Sequence, residues 1–167
     1  TTPLPTDAAT ALPAAYKCLG FTSDDGIVIT EDGSTKQLRV WEGNTVARTQ
    51  KTEYNEQIKF TPVECSEDVA KFTWGDDKVS VASGNITIKH HGQTMEPVHT
   101  VIEAVPFAGA VARYCAKTQL TERGDVAGNG EDYAGRELTL DCLGVNGVTM
   151  TEYIAFTTPQ VASVQNN

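Results

Sequence analysis

From Tyr16 onward the chain breaks into short runs of alternating or β-branched residues, and none has the length or 3.6-residue period of a packed helix. The runs are residues 26–30 (GIVIT), 36–41 (KQLRVW), 57–63 (QIKFTPV), 69–74 (VAKFTW), 78–82 (KVSVA), 85–89 (NITIK), 98–105 (VHTVIEAV), 110–117, 137–142 (ELTLDC) and 148–156 (VTMTEYIAF). Turn formers cut them at hairpin spacing, including Asp24-Asp25-Gly26, Asp32-Gly33 and Asn146-Gly147. Only residues 7–15 hint at helix, and Pro13 interrupts them. Many short strands at this spacing predict an all-β fold, either a closed barrel or a β-sandwich.

An internal repeat bears on that choice. Residues 58–65, 99–105 and 136–142 are strand-like, and each precedes a second segment that ends on an aromatic: Trp74, Tyr114 and Tyr153, about 40 residues apart. A unit of that size cannot cover its own apolar face, so three of them predict pseudo-threefold symmetry around a shared axis. A second echo, Cys18-Leu19-Gly20 against Cys142-Leu143-Gly144, places similar hairpins at the two ends of the domain.

The balance of 13 basic against 22 acidic residues leaves a net charge of −9. Nucleic-acid binding rests on clustered Lys and Arg that displace counterions, and anionic membranes attract the same residues, so neither partner is expected. No apolar run approaches the ~18 residues that span a bilayer. The chain opens on Thr1, without Met, and carries four widely spaced cysteines with no Cys-x-x-Cys pair. That reads as a secreted or cell-wall protein with disulfides, and not as a thiolate metal site. Four cysteines allow three connectivities. Pairing sequence neighbours, Cys18–Cys65 and Cys115–Cys142, closes the shortest loops. Asn85 heads an Asn-x-Thr sequon, a candidate glycosylation site in a secreted chain. Residues 1–15, rich in Thr, Pro and Ala, read as a tail, residues 16–159 as one domain, and 160–167 as a C-terminal tail.

With its Cys-Leu at residues 18–19, Cys65 ahead of Phe72-Thr73-Trp74, and Cys115 through Asn129-Gly130 to Cys142, the chain resembles the ricin-B-type β-trefoil domains of secreted fungal proteins. The resemblance spans roughly residues 16–159. It implies a β-trefoil of three ~40-residue repeats, one disulfide within the first repeat and one within the third, and lectin-like carbohydrate binding. The family's Gln-x-Trp is absent: Phe72, Ala112 and Thr151 stand where its Gln would be, and Gly20 and Lys117 stand where its sugar-binding Asp would be.

A sugar site needs an aromatic plate and polar side chains for the hydroxyls. Trp41 with Asn44, and Asp125, Asn129, Asp132 and Tyr133 in the loop DVAGNGEDY, are the candidates. That loop lacks the ligand order of a calcium-binding EF-hand. His90 and His91 are adjacent and point to opposite faces of a strand, so no metal is assigned to them. There is no Gly-x-Ser-x-Gly. Any two of the 22 acidic residues could form a glycosidase pair, which keeps a small hydrolase as a third reading. They lie mostly in turns and on polar strand faces, however, as a solvated acidic surface would have them. The expectation is therefore a non-enzymatic binding protein without cofactor, its partner a glycan or a secreted or cell-surface protein.

Overall fold

A computed structural model describes residues 2–105, 109–126 and 135–156. The fold is all-β: ten strands and, among the described residues, one α-helix. The chain divides into two compact units, and the long strand β8 (Ala110–Val126) gives residues 110–118 to one and 119–126 to the other.

The larger unit holds residues 18–97 together with 119–126 and 135–142. Its sheet runs β1 (Thr22–Asp32), β4 (Asn55–Pro62), β9 (Arg136–Cys142), β8. In β4 every second residue is buried (Glu56, Ile58, Phe60, Pro62), the period-two signature of a strand with one face against a core. Ile58 lies opposite Leu140 and Phe60 opposite Leu138, all of them buried. Gln57 Nε2 donates to Asp141 Oδ1 at 2.8 Å beside them.

Residues 69–74, expected as a strand, belong to α1 (Glu67–Trp74). The reason is local. Ser66 Oγ accepts from Val69 N–H at 3.2 Å, Glu67 and Asp68 sit in the positive first turn, and Lys71 pairs with Glu67 at i,i+4. Gly75, at φ 91°, ends the helix. Phe72 packs against Phe60 with ring centroids 6.3 Å apart. Trp74 forms a small core with Ala70 and with Val79 of β5 (Val79–Ala82). Its indole stacks on His90 at 4.0 Å and carries the Arg123 guanidinium at 4.6 Å. The hairpin of β5 and β6 (Asn85–Ile88) turns through Ser83 and Gly84, both at positive φ.

In the smaller unit β8 is flanked by β7 (Val98–Ala104) and β10 (Met150–Phe156), both antiparallel. Small residues, Ala110, Ala112 and Ala116, take three of the buried positions of β8, and the hydroxyls of Thr100 and Thr118 meet at 2.6 Å. Arg113 is buried and ion-pairs with Glu103, and its Nη1 donates to the Asp7 carbonyl at 2.7 Å. His99 Nδ1 bonds the Thr2 carbonyl and Tyr16 Oη donates to that of Pro3, so the N-terminal stretch read as a tail is tied to defined partners. Residues 160–167 lie outside the described residues.

Two expectations fall. No disulfide joins the four cysteines: Cys18 and Cys65 are exposed, Cys115 and Cys142 buried within strands. At the first pair it is the Glu64 carboxylate that meets the strand start, accepting from Phe21 N–H at 3.3 Å. The β-trefoil is not what the strands form. Trp74 ends a helix, whereas Tyr114 and Tyr153 lie on the paired strands β8 and β10, so the aromatics share spacing but no common setting.

Candidate assembly surface

β1 and β4 continue outward as β2 (Thr35–Arg39) and β3 (Val46–Lys51), making one ribbon with a neck at residues 33–34 and 52–54. The pairing slips by one residue across the neck, from Asp32 opposite Asn55 to Thr35 opposite Lys51. The neck is pinned by Thr52 N–H donating to the Ser34 carbonyl at 2.8 Å and by Ser34 Oγ to Glu53 Oε2 at 3.0 Å. Gly33 is required there, since a Cβ at this position would come within 2.8 Å of the Glu53 carbonyl oxygen.

Beyond the neck every residue from 35 to 51 is exposed. The tip is a 3-10 turn (Glu42–Asn44) with Gly43 and Asn44 at positive φ, closed by Val40 N–H to the Thr45 carbonyl and by Arg39 Nη1 to the Asn44 carbonyl. On one face Lys36 and Leu38 lie opposite Gln50 and Arg48; on the other Gln37 and Arg39 lie opposite Thr49 and Val46. Each face thus mixes cations with an aliphatic side chain. Trp41 at the tip is 96% exposed and Leu38 62%. Leu38, Val40, Trp41 and Val46 all stand in water on this one hairpin, and large apolar side chains left exposed together on one element mark an interaction surface. No helix among the described residues is long and apolar enough to cross a membrane.

The structure gathers Trp41 and Asn44 on this one turn, where Asn44 serves the backbone by adopting the left-handed conformation. Asp125 is exposed near the end of β8. Asn129, Asp132 and Tyr133 lie outside the described residues. Asn85 is exposed at the β5–β6 turn, its Nδ2 donating to the Ser83 carbonyl. Two of the three histidines bond the backbone, His91 the Trp74 carbonyl and His99 that of Thr2, and His90 stacks on the Trp74 indole. Sequence reasoning missed β3, whose VARTQK pattern carries little apolar signal, and therefore missed that residues 36–41 are half of a free-standing hairpin.

A model of the family described as phage tail tube protein matches residues 1–164. No curated protein matches the chain. With a match of that extent, the chain belongs to the phage tail tube protein family. This overturns the fungal lectin resemblance, and with it the expectations of carbohydrate binding, a glycoprotein, secretion and a cell-wall location. The resemblance stood on Cys-Leu dipeptides and on aromatics at even spacing. Strand-rich chains place aromatics at regular intervals for packing reasons alone, and the thiols that were to anchor the repeats form no bridges.

Proposed function

We propose that this member of the phage tail tube family is a wall subunit of the tube, a structural and non-catalytic component that acts by binding further copies of itself and other phage tail proteins. The observation that carries this reading is the family match over residues 1–164. A chain of 167 residues cannot enclose a tube alone, so the wall requires repeated contacts between copies. The projecting ribbon supports the reading, because it presents an apolar and cationic surface that its own chain leaves in water.

The experiment is assembly of the purified full chain, alone and together with the other tail proteins of its phage. It is followed by sedimentation velocity and negative-stain electron microscopy. Hollow tubes or stacked rings are the expected result. A chain that stays out of the tubes formed by those partners removes the reading.

A further inference from the structure

Charge along the ribbon is strongly polarised. The arm, residues 35–51, carries Lys36, Arg39, Arg48 and Lys51 against Glu42 alone, a net +3 within a chain of −9. The strand leading into it is the reverse: β1 holds Asp24, Asp25, Glu31 and Asp32, all exposed, and no basic residue. β1 is also the end strand of its sheet, paired with β4 on one side and with no other strand among the described residues. Ile27 and Val28 are half exposed on it. One surface is thus a basic ribbon with aliphatic side chains, and the other an acidic open edge with aliphatic side chains.

The two do not satisfy each other within the chain. Among the described residues none of the four cations of the arm makes an ion pair. Arg39 is spent on Gln37 and on the Asn44 carbonyl, and Lys51 lies over the Tyr54 ring at 3.9 Å. The arm leads away from the end of β1 through a pinned neck, so folding back would break the Ser34 contacts.

We infer that the basic arm of one copy docks on the acidic β1 edge of a second copy. This rests on the reading that copies assemble, and it names the surfaces. Because arm and edge are different patches, the contact is head-to-tail: every docked copy offers a fresh arm and a fresh edge, as a growing assembly requires and a closed dimer does not. Complementary charge sets the pairing and the register, while Leu38, Val40 and Trp41 supply the apolar area.

The test is a charge exchange in the full-length chain. Lys36→Glu/Arg48→Glu reverses the arm, and Asp25→Lys/Glu31→Lys reverses the edge. All four positions are exposed, and circular dichroism with a thermal melt checks each fold. Each variant alone is expected to need about tenfold or more higher concentration to assemble in sedimentation velocity, because like charges now face each other. Mixed in equal amounts, the two variants are expected to recover assembly, since the acidic arm of one fits the basic edge of the other. A mixture that stays as dispersed as its components overturns the inference. So does an arm-reversed variant that forms normal tubes, and that result leaves the tube reading standing. Arm-dependent oligomers that never become tubes support the docking and remove the tube reading. A wild-type chain that stays monomeric at every concentration, alone and with the other tail proteins, overturns both.

Discussion

The two halves of the β1–β4 ribbon share a backbone pattern and have opposite fates. At the base, alternation in β4 buries Ile58 and Phe60 because β9 brings Leu138 and Leu140 alongside and α1 brings Phe72. In the arm, β2 and β3 also pair residue by residue, with one irregularity between Leu38 and Arg39, and every residue stays exposed. Alternation therefore specifies a strand but not a core. Burial depends on whether a third element arrives, and for the arm none does among the described residues.

The largest effect that sharpens this contrast is at the base. Leu140 is fully buried, so Leu140→Ala is expected to cost about 2–5 kcal/mol, read from chemical denaturation. Leu38→Ala in the arm removes the same atoms and is expected to change stability by less than about 0.5 kcal/mol. Equal losses at the two positions would break the comparison.

Next comes a pH effect confined to the base. Burial first, and then the nearby Glu56 and Asp141 carboxylates, push the Cys142 thiol up from 9.0 to about 11. The folded chain thus keeps a proton that the unfolded chain loses near pH 9, and stability falls as pH rises from about 9 to about 11. The slope contributed by one such group is at most about 1.4 kcal/mol per pH unit. In Cys142→Val this contribution disappears, and denaturation midpoints across that pH range measure the difference. Iodoacetamide at pH 8 is expected to label exposed Cys18 and spare Cys142 in the native chain.

The neck gives a smaller effect. In Gly33→Ala the new methyl meets the Glu53 carbonyl oxygen, so the backbone must shift, at about 1–3 kcal/mol. The strain falls where arm and base join. Hydrogen exchange is expected to speed up through the arm more than through β4, and an even change along the ribbon would show that the two halves move together.

How far the fold was legible follows from the same physics. The all-β class was readable because period-two alternation and Asp-Gly or Asn-Gly turns are local signals, and most of the runs named from residue patterns are strands. Helix α1 was also written locally, in Ser66-Glu67-Asp68 ahead of Lys71 and Gly75, but the β-branched and aromatic residues of VAKFTW outweighed that cap. The disulfides and the trefoil were inferred from spacing, which fixes neither a thiol's direction nor which strands pair. Trp41 was named as the aromatic plate of a sugar site, and the structure places it exposed at the hairpin tip. An exposed Trp at the tip of a bare hairpin differs from a sugar platform only through its surroundings, and those appear only once β3 is seen to pair with β2.

The smallest stability effect belongs to that residue and separates the regions most cleanly. Trp41 is 96% exposed at the tip, so Trp41→Ser removes almost no buried area from the isolated chain, and its melting temperature is expected to hold within about 1–2 °C. If the arm docks on a second copy, the same indole becomes the largest side chain buried in the contact, a position where truncation commonly costs ~2 kcal/mol or more. Sedimentation velocity of the variant would then show weakened assembly in a chain whose own fold is untouched, the reverse of Leu140→Ala, which weakens the fold first. Unchanged assembly would make the arm a bare projection, and a lowered melting temperature would mean that Trp41 packs on its own chain in solution.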